Sequence, residues 1–252
     1  MNCTALDILQ DEIVHCRRCP RLIAYAAEIA RVKRRAYRDW DYWGKPVPSF
    51  GDPGAELLII GLAPAAHGAN RTGRVFTGDS SGNLLYRVLH ETGFAVQSES
   101  RSRDDGQRLV NAYITAIAHC APPDNKPTRE EIANCRGYLE RELDLLQNLK
   151  VVVALGRMAF DNYLSILQGR DLIRSRSAFA FGHDRQFQTA PGQPALISSY
   201  HPSQQNTSTG RLTQEMLDQV FLRAARMLAG QSPILTGSRC TSPVVPAFPP
   251  PT

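Results

Sequence analysis

Five consecutive apolar residues, Val151–Leu155, stand between Lys150 and Gly156 with nothing polar among them. A strand with one face in water carries polar residues at every second place, so an unbroken run of this kind belongs to a strand covered on both faces. Gly156 then turns the chain into a segment of helical periodicity over 157–167. Residues 57–60 form a second such apolar run, 113–118 and 195–198 are mainly apolar with one hydroxyl residue each, Thr115 and Ser198, and patterns of period 3.6 over 83–90, 128–149 and 212–228 alternate with them. Such alternation predicts an α/β domain, with a short, mainly parallel central sheet and helices on both faces.

The remaining segments fit around that core. Residues 4–17 and 21–35 read as two helices separated by Cys19 and Pro20. Thr128, with Glu131 three places on, is a capping box that opens a long helix ending near residue 149. Residues 97–108 are polar and aperiodic, a surface loop, and 169–193 are mixed, with short strands expected around 179–181 and a hairpin. One domain over 1–230 is expected, followed by a proline-rich tail over 231–252 whose composition predicts disorder. No apolar run approaches membrane-spanning length, and the first residues lack the basic head and apolar core of a signal peptide, so the chain reads as cytoplasmic. Nothing in it calls for more than a monomer.

Each predicted strand delivers a polar loop at its carboxyl end, where open α/β sheets place their sites. The longest of these loops, GLAPAAHGANRTGRVFTGDSSG over 61–82, is rich in glycine and carries His67, Asn70, Arg71, Arg74, Thr77 and Asp79. It ends at a helix start with Asp79, Ser80 and Ser81 as N-cap candidates. It contains neither a Walker loop nor a dinucleotide fingerprint. A long polar connection in a compact domain is either a binding loop or a self-packed Ω-loop. The fourth strand delivers Tyr200, His201, Pro202 and Ser203, a second polar cluster.

Net charge is +5, unevenly spread. Arg31, Lys33, Arg34, Arg35 and Arg38 crowd a segment that also holds Tyr37, Trp40, Tyr42 and Trp43. This is either a nucleic-acid surface with stacking rings or a solvated helix face whose aromatics anchor the next turn. Among six cysteines, Cys16 and Cys19 form C-x-x-C, Cys120 and Cys135 flank a proline-rich turn, and Cys3 and Cys240 lie near the ends. One close pair and two distant positions suit a zinc or an iron–sulfur site; four unrelated buried cysteines are the alternative.

The loops GLAPAAHGANRTGRVFTGD and HPSQQNTSTGRLT, with CRRC near the N-terminus and ITAIAHCAPPDNKPT between, resemble the motifs of the family-5 (B-type) uracil-DNA glycosylases, over roughly residues 12–228. The resemblance implies a three-layer α/β/α fold and a [4Fe–4S] cluster on Cys16, Cys19, Cys120 and Cys135 that ties the N-terminal helical segment to the loop after the second strand. It implies a hydrolase of base excision repair: a monofunctional DNA glycosylase that flips a damaged nucleotide, splits the N-glycosidic bond and leaves an abasic site. Asp79, His201 and Asn125 take the catalytic positions, Gly61, Leu62, Ala63, Pro64, Ala65 and Phe76 the base pocket, and Ser203, Gln204, Gln205, Asn206 and Arg211 the DNA contacts. Leu62, Ala63 and Ala116 stand where other branches place polar base-reading groups. This agrees with the breadth the family implies, toward uracil, hypoxanthine, hydroxymethyluracil and ethenocytosine. The alternative from another class is a non-catalytic, cluster-stabilised module that binds DNA or abasic sites.

Overall fold

The computed structural model describes residues 4–230; the proline-rich tail, Cys3 and Cys240 lie outside the described residues. Among these residues eight helices surround one six-stranded sheet. In chain order the elements are α1 (Ala5–Val14), α2 (Pro20–Val32), β1 (Phe50–Gly51), β2 (Leu57–Gly61), α3 (Ala69–Thr72), α4 (Ser80–Glu91), β3 (Ala112–Ala116), α5 (Arg129–Leu145), β4 (Val151–Leu155), α6 (Arg157–Gly169), β5 (Arg185–Gln188), β6 (Ala195–Ser199), α7 (Gln204–Ser208) and α8 (Gln214–Leu228).

The sheet order is β1-β3-β2-β4-β6-β5. The four central strands are parallel, Leu57 facing Ala112 on one side and Val151 on the other, and the two edge strands run antiparallel to their neighbours. From β2 the chain goes to β3 on one side and then crosses to β4 on the other, so the winding reverses between β2 and β4. A crevice opens at the carboxyl ends of strands at such a switch point.

The unbroken apolar strands are explained by the two cores. Leu58, Ile60, Val152 and Leu196 point to one face, against Leu9, Ile13, Tyr138, Leu139, Phe160 and Tyr163 of α1, α5 and α6. Leu57, Ile59, Val151, Val153 and Ile197 point to the other, against Leu85, Leu89, Leu217, Val220 and Phe221 of α4 and α8. One polar network crosses the first core. Glu142 is fully buried and accepts from Thr115 Oγ1 (2.6 Å) and Gln10 Nε2 (3.1 Å), which ties α1 and α5 to β3.

Several element bounds move from their sequence-based positions. The capping box at Thr128 and Glu131 is present, but α5 stops at Leu145. β3 stops at Ala116, after which the N–H groups of Ile117 and Ala118 donate to the carbonyls of Gly61 and Leu62. No strand forms at 179–181; the edge strand is β5, whose polar alternation carries no core signal because it is exposed on its outer side. The loop over 97–108 is pinned rather than free: Arg74 is buried and reaches Asp105 (2.7 Å) and Ser100 Oγ (2.9 Å). No helix among the described residues is long and apolar enough to cross a membrane.

Candidate active site

A cavity of about 550 Å³ opens at the carboxyl ends of the central strands. Leu62, Ala63, Pro64 and Ala65 from the loop after β2 line it, with Phe76 and Asp79 from further along that loop. Ala116 and Asn125 come from the end of β3 and the loop beyond, and His201, Ser203, Gln204 and Gln205 from the segment after β6. The switch point thus gathers eleven of the residues that the sequence singled out for catalysis, base and DNA. It also adds some that it did not: Val75, Ser80, Ser81, Asp124 and Lys126. Gly61 lies behind the cavity wall, where a Cβ would stand 2.7 Å from the Phe76 ring.

Asp79 caps α4, and its Oδ1 accepts from the Gly82 N–H at 2.9 Å. Its Oδ2 rests on Gly68, where a Cβ would come within 2.1 Å, so only glycine permits this approach. Burial raises the Asp79 carboxyl above the ordinary carboxylate range, opposed by the N–H groups of Gly82 and Ser81 and by the positive charge of Arg71. Phe76 holds a left-handed backbone (φ 50°), which is costly for an aromatic residue. That conformation turns its ring to stack on His201, with centroids 5.7 Å apart and planes 30° off parallel.

His201 is seated by a second glycine. Gly156, at the end of β4, has φ +94°, and its absent side chain leaves room for the His201 Cβ. The Gly156 N–H donates to the Ser199 carbonyl at 2.8 Å, fixing the end of β6. Burial depresses the His201 pKa to about 4, so the ring is neutral at physiological pH. Among the described residues it makes no hydrogen bond through its ring nitrogens. A neutral imidazole with one N–H and one lone pair uncommitted is therefore presented to the cavity.

The other predicted contacts divide. Asn125 sits at the rim, exposed, and like its neighbour Asp124 has a left-handed backbone (φ 55° and 52°). Ser203 caps α7, and Gln204 and Gln205 project at the cavity mouth. Asn206 and Arg211 do not line the cavity. Asn206 Nδ2 donates to the His201 carbonyl at 2.8 Å, holding the strand end, and the Arg211 guanidinium lies 4.7 Å from the Tyr200 ring. In the basic aromatic segment, Tyr37 and Trp40 stack on the chain's own Arg71, so those two rings are anchors in part.

Cys16, Cys19, Cys120 and Cys135 are free thiols, and the last three are buried. Cys19 and Cys120 pack with Leu22 in a small cluster of their own. Burial raises the thiols of Cys19 and Cys120 and lifts Cys135 to about 12, each with smaller contributions from neighbouring cysteines. The four therefore share one site, between the junction of α1 and α2, the loop after β3, and α5. Among the described residues no three or more His, Cys, Asp or Glu side chains approach closely enough to hold a single metal ion. An all-thiol donor set is the kind that an iron–sulfur cluster calls for. Alongside, Arg21 of α2 grips Glu131 of α5 through two bonds of 2.7 Å.

A doubly wound sheet with one carboxylate and one neutral imidazole across an apolar-walled crevice matches a known class. The family model of the uracil DNA glycosylase superfamily matches residues 48–225. A type-5 uracil-DNA glycosylase of Thermus thermophilus is 49% identical over 212 residues, which cover 84% of this chain and 93% of that one. A type-5 enzyme of Pyrobaculum aerophilum is 43% identical over 219 residues, 87% of this chain and 92% of the other. A type-4 uracil-DNA glycosylase of Archaeoglobus fulgidus is 30% identical over 200 residues, with coverage of 79% and 82%. The chain belongs to the uracil-DNA glycosylase superfamily and, within it, to the type-5 family: it is a hydrolase that acts on DNA.

Proposed function

We propose that this enzyme is a monofunctional glycosylase that excises uracil, hypoxanthine, hydroxymethyluracil and ethenocytosine from DNA and leaves an abasic site. The observation that carries this reading is the pairing of Asp79 with a neutral, uncommitted His201 across one cavity. As the N-glycosidic bond stretches, the leaving base gains negative charge and the sugar becomes cation-like. The His201 N–H donates to a carbonyl oxygen of the base and stabilises the charge that grows there. The Asp79 carboxylate faces the sugar, where it orients the attacking water and offsets positive charge.

Phe76 stacks on the extruded base, and the backbone from Gly61 to Ala65 walls its edge. With Leu62, Ala63 and Ala116 at that wall there is little to read one base against another, which supports a broad substrate range. Asn125 at the rim contacts the base or the attacking water. Ser203, Gln204 and Gln205 enter the gap left in the duplex, while Asn206 acts through the strand end and Arg211 on a phosphate. A groove of about 390 Å³ shares Ser80 with the cavity and offers Arg87 to the flanking strand.

Cys16, Cys19, Cys120 and Cys135 hold a [4Fe–4S] cluster that supplies structural ties rather than chemistry. By joining α2 to the loop that carries Asn125, these residues fix one wall of the cavity. The test is release of each base from a matched duplex under single turnover, with strand scission developed by alkali. Excision of several bases, without scission before alkali, is expected; a product already cut before alkali treatment would refute the monofunctional assignment.

A further inference from the structure

Arg71 is a buried cation with no carboxylate bonded to it. It lies on α3, only 3% exposed, and forms no salt bridge among the described residues. Its Nε donates to the His67 carbonyl (2.8 Å) and one terminal nitrogen to the Gly78 carbonyl (2.7 Å). The other terminal nitrogen is buried without a hydrogen-bond partner. The guanidinium carbon stands 4.0 Å from the ring centres of both Tyr37 and Trp40, which meet edge to face and shut it from water. Gly78 makes the approach possible: with φ +87°, a Cβ there would lie 2.5 Å from the guanidinium.

Leaving a guanidinium buried and short of a partner is expensive, and folds keep such groups where something else uses the charge. Here the carbonyl that Arg71 holds belongs to the peptide leading into Asp79. We propose that Arg71 is a positioning residue for base excision: clamped by Tyr37 and Trp40, it fixes the Gly78–Asp79 peptide and supplies the positive potential that the Asp79 carboxylate faces. This rests on the reading of Asp79 as the carboxylate of the reaction.

The surroundings of the pair isolate the effect. Asp79 is bonded by the N–H groups of α4 and faces Arg71 from α3; across the cavity stand the neutral His201 and, at the rim, Asp124 and Lys126. Around Arg71 are Tyr37, Tyr42 and His67, the last held low by burial, then by Arg34 and Arg71. Among the described residues Arg71 is the charged group that opposes the burial of Asp79. Without it the carboxyl takes up a proton at a higher pH.

The test is the pH profile of single-turnover uracil excision by Arg71→Gln, Arg71→Lys and Trp40→Ala, with Asp79→Asn alongside. The acid limb is expected to move up in Arg71→Gln, to stay in place in Arg71→Lys with a lower plateau, and to move up by less in Trp40→Ala. A purely structural Arg71 would lower the plateau and leave the acid limb of Arg71→Gln unmoved, which overturns the proposal. Should Arg71→Gln not fold, an unmoved limb in Trp40→Ala overturns it, because opening the clamp to water screens the charge. An Asp79→Asn enzyme that keeps the wild-type rate sinks the reading of Asp79 instead, and the two failures are thereby told apart.

Discussion

Gly68→Ala is a test of one contact. The new Cβ would stand 2.1 Å from Asp79 Oδ2, 2.8 Å from its Cγ and 3.1 Å from its Cβ. The backbone at Gly68 has a negative φ (−100°), so the change acts through space and not through a left-handed conformation. Carbon and oxygen out of covalent contact need roughly 3.5 Å, so the carboxylate has to withdraw by about 1 Å or more. Oδ1 is tethered to Gly82, so withdrawal either swings Oδ2 away from the cavity or breaks the cap. A displacement of about 1 Å at a reacting group costs on the order of 100-fold in rate, about 2.7 kcal/mol in barrier height. A loosened N-cap costs about 1 kcal/mol of stability, and a shift of about 2–4 °C in Tm follows for a domain this size. Single-turnover excision and DNA affinity, measured on the same preparation, should therefore separate: the rate falls while binding holds. A folded Gly68→Ala enzyme with the wild-type rate would refute the placement of Asp79 in the reaction.

His201→Ala should lower the excision rate by about 100- to 1000-fold, the usual cost of one donor to a developing oxyanion. Because the folded His201 pKa of about 4 lies below its unfolded value, the fold binds fewer protons there, so stability is lost as pH falls from 6.5 toward 4; His201→Gln should flatten the Tm–pH curve over that window. Cys120→Ser should abolish the visible absorbance of the proposed cluster and lower Tm, with base excision lost as a consequence; unchanged absorbance would remove Cys120 from the ligand set. Arg74→Met takes the guanidinium from Asp105, whose carboxylate keeps the N–H donors of Arg101, Ser102 and Gln107, and should cost about 1–3 kcal/mol in chemical denaturation; a loss within error would show that the 97–108 loop needs no tether.

What the sequence revealed followed from local pattern. The runs at 57–60 and 151–155 announced strands covered twice, and the covering helices are there on both faces. Thr128 and Glu131 marked the start of α5 because a capping box is written within four residues. Features that depend on distant partners left no such mark. β5 carries one apolar residue, Phe187, among polar ones, too little for a strand pattern, and only its pairing with β6 defines it. Glu142 reads as helix surface until Thr115 and Gln10 arrive from elsewhere in the chain. Asn206 and Arg211 belong to the loop singled out for DNA contact, but the bond of one to the His201 carbonyl and the stacking of the other on Tyr200 were not written in that loop. The left-handed backbone of Phe76 could not be read at all, since an aromatic residue disfavours what the cavity imposes on it, whereas Asp124 and Asn125 are types that enter that region readily.

The central claim is that Asp79 and His201 work across one cavity to break an N-glycosidic bond with little regard to which base leaves. The most direct measurement is single-turnover release from duplexes alike except for uracil, hypoxanthine or ethenocytosine, by the wild-type enzyme and by Asp79→Asn and His201→Ala. Release of all three bases by the wild type, with rates that collapse in both variants while DNA affinity stays, is the predicted result. Release of uracil alone, or variants that excise as fast as the wild type, would contradict the account.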